Sequence, residues 1–146
     1  MGAGTASSAS CPRANRRRFT VALGVRAGIV LSAFVVLLGF VGLTPELSWV
    51  PEVPLLAVSV LVPLVGYVVT GFRAERRFGR IRNAIFASAV AGVVSGLAGG
   101  LTFVLFGKSL LNVPVGITLG FAAGAVWGTV GAIMSARSRR GVDTSV

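Results

Sequence analysis

Four long apolar stretches, separated by short connections, constrain this chain more than any other feature. They cover about residues 27–43, 54–72, 81–106 and 113–135. A bilayer core about 30 Å thick requires roughly 20 apolar residues in a helix, and backbone groups in lipid must pair within their own segment. The sequence therefore predicts an all-α polytopic membrane protein with four transmembrane helices, arranged as two hairpins.

The charged residues predict the orientation of these helices. The chain has 14 basic and 4 acidic residues, a net charge of +10, and most of the basic residues fall into three segments. These segments contain Arg13, Arg16, Arg17, Arg18 and Arg26; then Arg73, Arg76, Arg77, Arg80 and Arg82; and last Arg137, Arg139 and Arg140. The other two connections hold Glu46, Glu52 and Lys108. Because positive residues are retained in the cytoplasm, we expect a multi-pass protein of the cell membrane with both termini cytoplasmic.

The ends of the chain differ in composition from the apolar stretches. We expect residues 1–18 to be a disordered basic cytoplasmic arm, residues 19–136 to be the transmembrane domain, and residues 137–146 to be a short basic tail. Arg16-Arg17-Arg18-Phe19 resembles the core of a twin-arginine export signal. Arg26 interrupts the apolar run that would follow such a signal, so a cytoplasmic anchor is favoured. Cys11 is the only cysteine, which excludes an intramolecular disulfide.

Small residues recur every fourth position in the last two apolar stretches. The third stretch has Ala84, Ser88, Gly92, Gly96 and Gly100, and the fourth has Gly116, Gly120, Gly124, Gly128 and Ala132. A four-residue step keeps positions on one helix face, and small side chains there allow a second backbone to approach closely in lipid. We predict that the two faces meet in a hairpin that turns near Lys108, with Gly92 level with Gly124. The alternative is that one of the faces contacts another subunit.

The two halves of the chain resemble each other at a separation of sixty residues. Pro54 and Pro114, Tyr67 and Trp127, and Gly71 and Gly131 correspond at this separation. Each half enters from the cytoplasm and returns to it, so a duplication would be a parallel repeat. Chance similarity in a chain of such restricted composition is the alternative.

Chemically reactive residues are scarce in the apolar stretches. Arg26 is the only ionisable residue that we expect there, and the chain has no histidine. Proton relays, carboxylate-coupled cation transport, histidine-bound metals and Ser–His catalysis therefore lack their groups. We expect no enzyme activity, no cofactor and no metal site. Tyr67 and Trp127 could form a shared site near the cytoplasmic third of the bundle, but packing or interfacial aromatics are the favoured interpretation.

The central basic segment is a candidate for lipid binding. Arg73, Arg76, Arg77, Arg80 and Arg82 are accompanied by a single acid, Glu75. Positive charge suffices to set the topology, and it also attracts anionic lipid headgroups. Nucleic acid is not expected as a partner, because no stacking platform or recognition fold accompanies the arginines. A homo-oligomer or a membrane protein partner is left open.

Gly66, Gly71, the sequence Arg77-Phe78-Gly79-Arg80 and the small-residue pattern that follows resemble small glycine-rich four-span membrane proteins of bacteria and archaea, whose roles are uncharacterised. The resemblance covers about the last 80 residues and implies a compact four-span bundle. We expect a non-catalytic integral membrane protein that acts through lipid or protein partners. The alternative is a homo-oligomeric channel or small permease.

Overall fold

A computed structural model of the chain describes residues 13–43 and 52–143, and within these ranges all regular structure is helical. The helices are α1 (Arg13–Leu43), α2 (Glu52–Phe78), α3 (Ile81–Leu105) and α4 (Asn112–Asp143). Each contains a segment long and apolar enough to cross a membrane. The prediction of an all-α protein with four membrane-spanning helices is confirmed to that extent. The expectations for residues 1–12, 44–51 and 144–146 lie outside the described residues.

Three of the helices extend beyond the apolar stretches. Helix α1 begins at Arg13, so residues 13–18 of the expected arm are helical. Helix α2 continues past Phe72 to Phe78, and α4 continues past residue 135 to Asp143. Hydropathy marks only where the lipid-compatible sequence ends. Arginine, alanine and glutamate favour helix, and long arginine side chains can reach water from the last turns, so the helices continue.

Glycines in the left-handed conformation end α2 and α3. Gly79 has φ +64°, and its amide donates to the carbonyl of Glu75 at 2.7 Å. Gly107 has φ +75°; its amide donates to Val104, and the amide of Lys108 donates to Phe103, which together form a Schellman motif. Because a side chain is unfavourable at such φ values, these two positions allow both short connections.

Helix α3 occupies the centre of the bundle and contacts all three other helices. Its interface with α4 is the most extensive, followed by α1 with α3 and α2 with α4, while α1 and α2 contact each other least. Within the described residues, α1 and α4 do not contact each other. The first two helices are therefore held mainly by the α3–α4 pair rather than by each other.

Small side chains form the interior, and large apolar side chains face outward. Among the described residues other than glycine, those with no exposed surface are alanines and serines: Ala74, Ala84, Ala87, Ala91, Ala132, Ser88 and Ser135. Leu97, Leu105, Leu110 and Leu119 are instead exposed, along with many other leucines, valines and phenylalanines. This distribution is typical of helices that associate in lipid, where close backbone packing replaces burial of large apolar side chains.

Candidate functional site

Helices α3 and α4 pack backbone against backbone along their small-residue faces. A Cβ atom added at Gly92 would overlap the carbonyl oxygen of Gly120, and one at Gly120 would overlap that of Gly92. Gly96 and Gly116 have the same reciprocal relation. Residue numbers rise on one helix as they fall on the other, so the two helices are antiparallel. Glycine is required here because a side chain would occupy the space of the neighbouring backbone.

The structure also places the remaining residues of the two faces. A Cβ atom at Gly100 would lie 2.7 Å from both the carbonyl oxygen of Asn112 and the Cα atom of Val113. Gly124 lies against the carbonyl of Ser88, and Gly128 lies against the Ser88 side chain. The glycines in the middle of the seam are inserted between two glycines of the other helix. For example, Gly120 lies against both Gly92 and Gly96.

Ala84 and Ala132 lie at the end of this seam nearest the α2–α3 turn. They belong to one cluster of fully buried alanines together with Ala74 and Ala87. The side chain of Phe78 packs against this cluster at its edge. Helices α2, α3 and α4 therefore converge at this end around a cluster of alanine methyl groups.

Helices α2 and α4 cross at positions that are sixty residues apart. A Cβ atom at Gly71 would overlap the carbonyl oxygen of Gly128, and one at Gly131 would overlap that of Val68. Gly71 and Gly131 correspond in the two halves of the sequence, and so do Val68 and Gly128. The contact of Gly71 in α2 with Gly128 in α4 is therefore equivalent to the contact of Gly131 in α4 with Val68 in α2. A local two-fold axis would relate the two contacts in this way. The two helices run in the same direction at this crossing.

Helix α1 packs on α3 through a glycine pair that the sequence analysis did not single out. A Cβ atom at Gly24 would lie 2.5 Å from the carbonyl oxygen of Ala87, and one at Gly28 would lie 2.7 Å from Cβ of Val94. The hydroxyl of Ser32 donates to the carbonyl of Val94 at 3.2 Å. The four-residue spacing of Gly24 and Gly28 places both on one helix face and could have indicated this contact. These helices are also parallel, but their packing does not repeat the α2–α4 contact.

Polar side chains are buried where α2 faces α3. The hydroxyl oxygens of Tyr67 and Ser95 lie 2.6 Å apart, and the Ser95 hydroxyl also donates to the carbonyl of Gly92 at 3.1 Å. The hydroxyl of Ser88 donates to the carbonyl of Tyr67 at 3.3 Å. Tyr67 is 5% exposed, whereas Trp127 is 38% exposed. The two aromatics therefore do not share one buried environment, and Tyr67 is paired with serines of α3 instead.

A carboxylate is buried in the bundle, contrary to the expectation that no acid would lie inside it. Glu75 is 5% exposed and lies within the candidate membrane span Ala57–Phe78. The hydroxyl of Ser135 donates to Oε2 of Glu75 at 2.5 Å. Because α2 continues beyond Phe72, Glu75 turns inward with the helix rather than lying in a loop.

The position of this carboxylate could have been found from the repeat. Gly71 and Gly131 correspond across the two halves, and one helical turn further along each helix gives Glu75 and Ser135. Glu75 is three residues before the end of its candidate span and Ser135 is three before the end at Ser138, so each lies about 4.5 Å inside. The Glu75–Ser135 pair therefore lies close to the ends of both candidate spans.

The arginines around the α2–α3 turn are all exposed. We call Arg73, Arg76, Arg77, Arg80 and Arg82 the arginine turn. The guanidinium carbon of Arg76 lies 4.7 Å from the ring centroid of Phe72, a cation–π contact at the end of the apolar stretch. Since Glu75 is buried, the surface of the arginine turn is almost entirely positive.

No group of three or more histidine, cysteine, aspartate or glutamate side chains that could hold a metal ion occurs among the described residues. Comparison with protein-family models, with curated proteins and with solved structures gives no match for this chain. The function is therefore argued from the arginine turn, the helix packing and the buried polar groups.

Proposed function

We propose that the protein is a non-catalytic integral membrane protein, a compact helical bundle that binds anionic lipid through the arginine turn. The observation that carries this proposal is the exposure of all five arginines at one end of the bundle while Glu75, the one acid among them, is buried. Two helix ends and a two-residue connection concentrate these charges. The positive-inside pattern assigns this end to the cytoplasm, with both termini on the same side and the helices paired as two hairpins.

The energetics of lipid binding favour this role. Each cation near an anionic membrane surface contributes about 1 kcal/mol, which corresponds to about a fivefold change in affinity. Phe72 and Phe78, both half-buried, flank the arginines where the apolar stretch ends. Arg76 lies over the Phe72 ring, which keeps its guanidinium beside the end of the apolar stretch. The preferred partner is therefore a lipid with an anionic phosphate headgroup, such as phosphatidylglycerol.

Lipid retention measured by native mass spectrometry tests the proposal. The protein is purified from mixed phosphatidylglycerol–phosphatidylcholine vesicles, and the ratio of the two retained lipids is determined. We expect enrichment of phosphatidylglycerol, a loss of about fivefold for each of the first Arg→Gln substitutions in the turn, and retention when the same positions carry lysine. Lys108→Gln, at the opposite end of the bundle, is the matched control and should retain the enrichment. Equal lipid ratios for the wild type and the five-glutamine variant would refute the role.

The single natural cysteine tests the orientation. We expect Cys11 to react with a membrane-impermeant maleimide only after the membrane is permeabilised. In a Cys11→Ser background, Lys108→Cys should react without permeabilisation, because the α3–α4 turn lies on the outer side. Labelling of both positions from the same side would contradict the two-hairpin orientation.

A homo-oligomeric channel or small permease is the second candidate. The buried Tyr67, Ser88 and Ser95 favour it, because polar groups inside a membrane bundle can contact a solute. Tyr67 lies 11 residues from the end of its candidate span, which is about 16 Å and close to the middle of a bilayer core. Selective flux in proteoliposomes that is lost in Tyr67→Phe would support this candidate over the first.

A further inference from the structure

We propose that Arg26 forms a second lipid site, which binds the phosphate of an anionic lipid on the outer face of α1. Arg26 is exposed and follows Arg18, the start of the candidate membrane span, by eight residues, which is about 12 Å along the helix. A charged side chain at such a depth is rare in membrane helices and commonly has a functional role. Arg26 belongs to α1, whereas the arginine turn joins α2 to α3, so the two sites lie on separate helices.

The packing of α1 on α3 gives the depth of Arg26 relative to the arginine turn. Gly24 lies against the carbonyl oxygen of Ala87, and the two helices run parallel. Arg26 is therefore level with about residue 89 of α3, seven residues beyond Arg82. Seven residues of helix correspond to about 10 Å. The backbone that carries Arg26 thus lies deeper in the membrane than the arginine turn, and its charge requires a partner at that depth.

Arg26 faces away from the bundle. Gly24 and Gly28, where α1 is closest to α3, are each two positions from Arg26, which is about 200° around the helix. Ala22 and Ile29, its neighbours on the outer face, are exposed as well. Within the described part of the chain, Arg26 has no hydrogen-bond or ion-pair partner. The group that neutralises it therefore comes from the surrounding membrane.

The direction of the side chain favours a lipid phosphate as this group. Long side chains of a helix lean toward its N-terminus, which in α1 is the end that carries Arg18. One turn away in this direction is Ala22, whose small side chain leaves space for the stem of Arg26 along the helix. The guanidinium therefore approaches the headgroups from within the membrane, and its forked donors fit a phosphate with two hydrogen bonds. A phosphate that moves inward to meet it thins the bilayer locally.

A second copy of the chain fits this face less well than lipid does. In a symmetric pair of α1 helices, Arg26 would approach its own counterpart, and like charges repel strongly where water is excluded. Acidic side chains that could pair with it are few, and Glu75, which lies inside the bundle, is buried. Anionic lipid surrounds the whole bundle and supplies the opposite charge on the side toward which Arg26 leans.

Lipid retention measured by native mass spectrometry tests the site independently of the arginine turn. The five-glutamine variant of the arginine turn is purified from mixed phosphatidylglycerol–phosphatidylcholine vesicles, with and without Arg26→Gln. We expect the five-glutamine variant to keep an enrichment of phosphatidylglycerol, and Arg26→Gln to reduce it by about fivefold or more. Lys108→Gln in the same background is the matched control and should not reduce it. Unchanged retention with Arg26→Gln would overturn the proposal and favour a membrane protein with a carboxylate as the partner.

Spin labels test whether a headgroup is drawn inward beside Arg26. In a Cys11→Ser background, Ile29→Cys places a label one turn deeper on the same outer face. Ala122→Cys, exposed on α4 and level with Gly92, is the matched control at a similar depth. We expect a water-soluble nickel chelate to relax the label at position 29 faster than the label at position 122, and Arg26→Gln to remove this difference. Equal relaxation at the two positions in the protein that retains Arg26 would overturn the proposal.

The stability of the variant separates a lipid site from a structural role. Because Arg26 faces away from the other helices, Arg26→Gln should not lower the free energy of unfolding in sodium dodecyl sulfate. A clear loss of stability would show that Arg26 supports the bundle and would overturn the proposal. The variants that test the arginine turn all retain Arg26, so failure of this site leaves the lipid-binding role of the arginine turn unaffected.

Discussion

Alanine at Gly100 should separate α3 from α4, whereas alanine at the adjacent Gly99 should not. The new Cβ at Gly100 would lie 2.7 Å from the carbonyl oxygen of Asn112 and from the Cα atom of Val113, where an ordinary contact is 3.4 Å or more. Both neighbours belong to the backbone of α4 and cannot turn away. The helices must therefore move apart by about 0.7 Å at this level.

The cost follows from the contacts that such a movement weakens. A gap of 0.5–1 Å removes about a quarter to a half of the attraction of an atom pair, which is about 0.1–0.2 kcal/mol at best. On the order of 40 such pairs in the two turns around Gly100 then give a loss of about 2 kcal/mol. Alanine returns about 1 kcal/mol through its higher helix propensity. We expect Gly100→Ala to be destabilised by about 1 kcal/mol.

Gly99→Ala is the matched control because it makes the same chemical change one residue earlier in the same helix. Its Cβ would lie 3.2 Å from Cγ1 of Val35, a side-chain atom that needs to move by only a few tenths of an ångström. The gain in helix propensity is common to the two variants. We therefore expect Gly99→Ala to be about 2 kcal/mol more stable than Gly100→Ala.

Unfolding by sodium dodecyl sulfate in mixed micelles, followed by far-ultraviolet circular dichroism, gives the free energies to compare. If Gly100→Ala were as stable as Gly99→Ala, the backbone contact between α3 and α4 would not be what holds the helices together. Gly92→Ala extends the series, because its Cβ would overlap the Gly120 carbonyl more severely than at Gly100. It should be the least stable of the three.

Two further predictions use the same unfolding assay. Gly66→Ala should lower the free energy of unfolding little, because its Cβ would meet the terminal methyl of Leu31 at 2.5 Å. Gly131→Ala would meet the backbone of Val68, so it should lower the free energy of unfolding by about 2 kcal/mol more. Equal losses for the two variants would contradict the close α2–α4 crossing. Tyr67→Phe and Ser95→Ala should each lower the free energy of unfolding by about 0.5–1.5 kcal/mol, because each removes the hydrogen bond between the two hydroxyls. The double variant should lose less than the sum of the two, and strict additivity would show that this bond contributes nothing.

The sequence was sufficient to predict the helices, because length and hydropathy alone decide what crosses a bilayer. The small-residue faces of α3 and α4 were also visible, since glycine at every fourth position has few uses other than close backbone contact. The pair Gly24 and Gly28 shows the same four-residue spacing only once, so its signal in the sequence is weaker. The helix that Gly24 and Gly28 contact could not be predicted from their spacing, because spacing defines a helix face but not the partner of that face.

Glu75 was misplaced for a different physical reason. An apolar stretch that is defined by hydropathy ends at the first arginine. The helix itself ends where its backbone leaves the helical conformation, which here is at Gly79. Between these two points lies a helical turn and a half, in which arginines can reach outward while a residue on the inner face stays buried. Glu75 is on that inner face. A charged segment next to a membrane span therefore has to be read by helical position as well as by composition.

The corresponding positions of the two halves explain why the polar pair is at this place in the bundle. At the crossing, Gly71 and Gly131 remove both side chains, so the α2 and α4 backbones are closest there. One turn further, equivalent side chains must face each other across a narrow gap, and two large apolar residues would force the helices apart. A carboxylate and a hydroxyl share a hydrogen bond in that space instead. The same correspondence that brings the two backbones together thus places a short polar pair one turn further along.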